Sequence, residues 1–149
     1  MNHSNNHSDL GAHQLWRRLL WVAVIVLLVL LARRLAGGAD VWSNANTLLT
    51  QGKAVEAEQA FDKLLRQNPE DARGYMGRGR ARWRLKKNAE AVADFTKVIE
   101  RTPKDSTAFN NRALAYEGLG DREKALSDYS KAIELNPKNA VHHENRGML

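Results

Sequence analysis

The feature that most constrains this chain is a period. Residues 88–105 (NAEAVADFTKVIERTPKD) and 122–139 (REKALSDYSKAIELNPKN) are near copies 34 residues apart, and residues 54–71 (AVEAEQAFDKLLRQNPED) give a looser third copy at the same spacing. The three prolines, Pro69, Pro103 and Pro137, each close one copy. A fixed period of this length is the signature of stacked supersecondary units, each burying its apolar face only against its neighbours.

Setting each proline at position 32 of a 34-residue unit gives repeats 38–71, 72–105 and 106–139, with 140–149 as a partial fourth. Ala57, Ala91 and Ala125 share position 20; Phe61, Phe95 and Tyr129 share position 24; Leu64, Val98 and Ala132 share position 27. Small residues at one offset and aromatics at another are what two antiparallel helices need to approach and interlock. In the third unit the pattern predicts one helix over 106–118 and a second over 122–135, with a turn at Gly118-Leu119-Gly120-Asp121 between them. Asp71, Asp105 and Asn139 stand at position 34, where each can cap the helix that follows. The prolines stop the second helix of each unit.

These residues resemble the tetratricopeptide repeat family, whose unit is a 34-residue helix–turn–helix. The family's small residue at position 8 corresponds to Ala45, Gly79, Ala113 and Gly147, and its aromatic at position 11 to Tyr116 in the third unit. Leu48 and Arg82 stand at position 11 in the first two units, so the second unit's first helix is expected to pack loosely. The resemblance implies an all-α, right-handed superhelical stack over 40–149. It also implies a concave face that binds a partner protein or peptide. On that face it places Trp42, Asn46 and Leu49 in the first unit. The second unit adds Arg73, Met76, Arg80, Trp83 and Arg84, and the third Asn110, Asn111, Leu114 and Glu117. A subclass of the family clamps C-terminal carboxylates. The five positions it would use are Trp42, Asn46, Gly77, Thr107 and Asn111 here, and only Asn46 fits its pattern.

The segment Arg73 to Lys87 (RGYMGRGRARWRLKK) holds seven basic residues and no acid. It reads either as a patch for an acidic peptide, anionic lipid or nucleic acid, or as a solvated helix face whose long stems cover apolar surface. Arg78, Arg112 and Arg146 recur at the repeat spacing, which makes Arg78 structural. Net charge is +6 over 149 residues. Outside Arg17, Arg18, Arg33, Arg34 and Asp9, 19 basic residues face 16 acidic ones, too small an excess for a typical nucleic-acid binder.

Ahead of the repeats, Leu19 to Ala32 is an unbroken run of fourteen apolar residues. Arg17-Arg18 and Arg33-Arg34 bracket it, and Trp16 and Trp21 sit near one end, where indoles favour the membrane interface. Counted from Leu15 to Ala36 the segment makes about 33 Å of helix, enough to cross a bilayer. The expectation is an uncleaved transmembrane anchor over 15–36, preceded by a disordered polar tail (1–14) and followed by a glycine hinge (37–39), with Asp40 capping the next helix. A signal peptide cleaved at Ala36-Gly37-Gly38-Ala39 is the rival, and Arg33-Arg34 counts against it. Two flanking basic residues on one side against three on the other assign no topology.

The absence of cysteine excludes disulfides, thiolate metal sites and cysteine nucleophiles. His3, His7 and His13 are scattered in the polar tail, and His142-His143 are adjacent and so point to different helix faces. No catalytic set, cofactor motif or metal site emerges, and oligomeric state is left open.

Overall fold

Seven helices follow one another in a computed structural model that describes the backbone of residues 6–149 and the side chains of 16–31 and 41–149. They are α1 (Asn6–Thr50), α2 (Ala54–Gln67), α3 (Ala72–Arg84), α4 (Asn88–Arg101), α5 (Ser106–Leu119), α6 (Arg122–Leu135) and α7 (Ala140–Met148). No strand occurs among the described residues. The chain divides into two units, Met1–Ala39 and Asp40–Leu149.

In the first unit the apolar side chains of α1 face outward: Trp16, Trp21 and Leu27 are each about two-thirds exposed. Within the described residues no helix is long and apolar enough to cross a membrane. The expected span 15–36 extends beyond the described side chains at Leu15 and at 32–36. Two expectations for this region need correction. The backbone of 37–39, expected to break the helix, is helical, as is that of Asp40, expected as a cap. Residues 6–14 of the expected unfolded tail also belong to α1, while residues 1–5 lie outside the described residues. Once nucleated, a helix adds residues at little cost, and two glycines at about 1 kcal/mol each do not stop it.

The second unit is built by the repeat. Asp71, Asp105 and Asn139 cap α3, α5 and α7, each accepting a hydrogen bond from backbone amides two or three residues on. The second helices end at Gln67, Arg101 and Leu135, two residues before Pro69, Pro103 and Pro137. Position 15 of every unit closes the turn between its helices with a left-handed residue: Gly52 (φ 80°), Lys86 (φ 61°) and Gly120 (φ 77°). Glycine takes this conformation freely, whereas a residue with a Cβ pays roughly 1–2 kcal/mol.

Packing follows the same register. Phe61, Phe95 and Tyr129 are fully or almost fully buried, as are Ala57, Ala91 and Ala125. Each aromatic is covered by position 10 of the next unit: Ala81 joins the cluster around Phe61, Ala115 the cluster around Phe95, and Leu149 packs on the Tyr129 cluster. Each such aromatic contributes about 1.5–3 kcal/mol by burial. Helices from α2 to α7 therefore stack on their sequence neighbours.

Buried ion pairs repeat as well. Arg78 holds Asp94 in its own hairpin through Nε and Nη2 (3.0 and 2.6 Å) and donates to Asp62 of the preceding one (2.7 Å). Arg112 does the same 34 residues on, holding Asp128 at 2.7 and 2.9 Å and donating to Thr96 Oγ1 at 3.1 Å. Arg82 corrects the expectation of loose packing. In place of an aromatic it inserts a guanidinium that is one-fifth exposed and joins Glu58 (3.0 Å) to Asp94 (2.8 Å). Burial tends to raise the Glu58 carboxyl, but Lys87 and Arg82 hold it below the usual carboxylate range.

Candidate binding groove

The first helix of each unit supplies the face that the second helix leaves uncovered, and three adjoining concavities run along it. The first, about 240 Å³, is bounded by Trp42 and Asn46 of α1, Arg73, Met76 and Arg80 of α3, and Asp105 ahead of α5. Phe61 and Val98 form part of its apolar wall. The second, about 150 Å³, lies between Arg80, Trp83 and Arg84 of α3 and Asn111 and Leu114 of α5. The third, about 380 Å³, is lined by Leu114 and Glu117 of α5, Arg122 and Tyr129 of α6, and Asn145, Met148 and Leu149 of α7. Arg80 belongs to the first two and Leu114 to the last two, so they form one track.

The depth of the first concavity comes from a glycine. A Cβ at Gly77 would lie 2.1 Å from Phe61 Cζ, so only glycine lets α3 descend onto that ring. Ten of the twelve residues expected on this face line the track; Asn110 and Leu49 do not. Asn110 is 5 % exposed and its side-chain oxygen accepts a hydrogen bond from Asn145 Nδ2 at 3.0 Å. One repeat earlier, Asn111 Nδ2 reaches Met76 Sδ at 3.3 Å. Position 6 of one unit thus closes over position 5 of the unit before it. Leu49 is likewise fully buried, in the cluster with Phe61. Asp105, Arg122 and Asn145 were missed, because they come from caps and turns or from the last helix rather than from the face the repeat marks.

The basic segment is largely spent within the fold. Arg78, Arg82 and Lys87 are consumed by Asp62, Asp94 and Glu58. Arg73 pairs with Asp71 at 3.0 Å and lies over the Trp42 ring, 5.7 Å from its centroid. Arg84 donates to the Leu49 carbonyl. Among the described residues, Arg80 is the cation of this segment that lines the track with neither an ion pair nor a hydrogen bond.

At the far end, burial together with the Glu117 carboxylate pushes the Tyr129 phenol up, so it stays protonated and polar inside the third concavity. Nearby, His142 is 2 % exposed with Nε2 3.2 Å from Ser106 Oγ. Burial, and secondarily His143, lowers its pKa. His143 Nε2 lies 2.9 Å from the Pro137 carbonyl, so the two histidines serve separate local contacts. No cluster of three or more metal-ligating side chains occurs among the described residues.

Comparison with known proteins agrees with this geometry. Two sequence models described as tetratricopeptide repeat match residues 43–106 and 106–139. No curated protein matches the chain. Among solved structures, the Arabidopsis OM64 TPR domain is similar with a TM-score of 0.74 at 21 % identity, covering 77 % of this chain and 95 % of that one. The first TPR of Spaghetti (RPAP3), bound to the HSP90 peptide SRMEEVD, has a TM-score of 0.71 at 26 % identity, covering 74 % and 88 %. MamA 41-end from Desulfovibrio magneticus RS-1 has a TM-score of 0.71 at 24 % identity; the match covers 74 % of this chain and 63 % of that one, less than two-thirds of its length. With both sequence models falling on the 34-residue period and together spanning 43–139, the chain belongs to the tetratricopeptide repeat family.

Proposed function

We propose that the protein is a non-catalytic scaffold that holds a partner protein or peptide segment along the concave track and is tethered to a membrane by its N-terminal helix. The observation that carries this reading is the track itself: apolar seats at Trp42–Met76 and Trp83–Leu114, with the uncommitted guanidinium of Arg80 between them. Such alternation suits an extended segment carrying apolar anchors and polar groups in turn. The RPAP3 domain, which holds a peptide, supports the class of ligand. Its ligand ends in acidic residues, but we propose no carboxylate clamp here, since Trp42, Gly77 and Thr107 offer no charge for one. Docking of the basic segment on lipid or nucleic acid is disfavoured, because most of its cations are already paired.

The tether rests on the run of outward-facing apolar residues in α1, a patch far larger than a soluble surface usually presents. Tethering raises the local concentration of whatever the track holds.

The test is selection of displayed random 12-residue peptides on the detergent-solubilised full chain, with Trp83→Ala and Arg80→Glu as comparators. Enrichment of peptides that lose binding to Trp83→Ala supports the groove. Peptides insensitive to Trp83→Ala but lost on Arg80→Glu, with steep salt dependence, would point to the electrostatic alternative. A mature N-terminus near Ala39, or release by alkaline carbonate, would refute the tether.

A further inference from the structure

The middle of the concave track carries charge that the fold does not use. Arg80, Trp83 and Arg84 stand at i, i+3 and i+4 of α3 and so share one helix face. All three line the second concavity, together with Phe95, Asn111 and Leu114. Two like charges one helical turn apart repel each other and weaken a helix. On the opposite side of α3 the same problem is solved within the protein. Arg78 and Arg82 are also one turn apart, and they share Asp94, with Asp62 and Glu58 completing the neutralisation.

Arg80 and Arg84 have no such remedy. No carboxylate lines the second concavity among the described residues. Arg84 gives one N–H to the neutral Leu49 carbonyl, and Arg80 has neither an ion pair nor a hydrogen bond. Glu117, which is on the same track, lines the third concavity instead. Asp105, in the first, accepts from the Thr107 and Ala108 amides as a helix cap.

We infer that the second concavity seats an Asp or Glu side chain of the partner segment, its carboxylate held between Arg80 and Arg84 as Asp94 is held between Arg78 and Arg82. This deepens the groove reading above and rests on it. The carboxylate offers only acceptors and each guanidinium only donors, in a planar fork that matches it. Trp83, Phe95 and Leu114 wall the concavity, and their apolar surface lowers the local dielectric and strengthens the pairing. At about 150 Å³ it has the volume that accepts a benzene-sized group, which suits one side chain and not a helix. Arg80 also borders the Trp42–Met76 seat, so an apolar residue beside the acid enters that seat.

The test takes the peptides selected by display on the detergent-solubilised full chain and titrates them as synthetic, fluorescein-labelled probes. They should share one Asp or Glu flanked by apolar residues. Replacing that acid by its amide should weaken binding to the unaltered chain about tenfold, the scale of a hydrogen bond to a charged group. Arg80→Leu should weaken the acidic peptide by a similar factor and leave the amide peptide within about twofold, a coupling that loss of fold does not produce. Selection on the Arg80→Glu/Arg84→Glu double variant should return Lys or Arg at the acid's place. Arg84 also holds the Leu49 carbonyl, so Arg80→Glu alone replaces the double variant if far-ultraviolet circular dichroism shows loss of helix. Peptides that depend on Trp83 but share no acid overturn the inference and leave the groove reading standing. So does an equal loss of the acidic and amide peptides on Arg80→Leu. A phosphoserine peptide binding more than about tenfold tighter than its Glu counterpart would also overturn it, assigning the seat to phosphate. Failure to select any peptide that depends on Trp83 removes both readings.

Discussion

Replacing Asp94 by alanine probes the ion network that stands where the period lapses. The carboxylate is 2 % exposed and accepts three charge-assisted hydrogen bonds, two from Arg78 and one from Arg82. Breaking a buried pair by removing one partner costs about 3–5 kcal/mol, because the remaining charge is left desolvated. Here each orphaned guanidinium keeps one carboxylate, Asp62 for Arg78 and Glu58 for Arg82, and each is about one-fifth exposed. The cost therefore falls at the lower end, about 3 kcal/mol. At roughly 4–8 °C per kcal/mol for a domain near this size, that is a fall in Tm of about 12 °C or more. Urea titration for the free energy and thermal melts for Tm, both followed by circular dichroism at 222 nm in one detergent buffer throughout, measure it. In a double-mutant cycle with Arg82→Leu the coupling should be about 1–2 kcal/mol, since the two residues share a hydrogen bond. A loss below about 1 kcal/mol, or strict additivity with Arg82→Leu, would refute the assignment of Arg82 as a structural ion-pair residue.

Three further outcomes follow from the geometry. Lys86→Gly relieves a left-handed residue with a Cβ and should stabilise the domain by about 0.5–1 kcal/mol after the extra flexibility of the unfolded chain is counted, whereas Lys86→Ala should change little, as the same melts would show. Gly77→Ala drives a methyl into the buried Phe61 ring and should cost about 1–2 kcal/mol net of better helix propensity; Gly147→Ala meets open space and should be neutral or stabilising by up to about 1 kcal/mol. Because burial lowers the His142 pKa from the ordinary 6.5, its contribution to docking α7 is complete above that value and is eroded as pH falls below it. Hydrogen-exchange protection factors of the α7 amides, taken relative to the intrinsic exchange rate at each pH, should fall selectively on acidification from pH 7.5 to 5.5, and His142→Gln should flatten the dependence.

What the sequence displayed clearly was whatever the period repeats: the caps at Asp71, Asp105 and Asn139, the alanine–aromatic core, and the helix ends before each proline. These are legible because each depends on neighbours at fixed offsets. Arg82 was misread because its partners, Glu58 and Asp94, sit on two different helices, and no local pattern joins three charges so placed. Asn110 was misread for a related reason. Its face is the concave one, but Asn145 of the next unit closes over it, and the family's position rule describes a helix before its successor is added. The glycine pair at 37–38 shows the reverse error, a local signal outweighed by the helix on either side of it. Arg80 became informative by elimination, since it is defined by the partners its neighbours have and it lacks.

Arg78 and Arg112 each bond both to the second helix of their own hairpin and to that of the hairpin before. In a one-dimensional array the intrinsic stability of a unit and its coupling to the next are ordinarily separate quantities. Here one side chain sets both, so they rise and fall together. The α3–α4 hairpin holds such links on either side, to α2 through Arg78 and to α5 through Thr96, so a defect in it uncouples both neighbours at once.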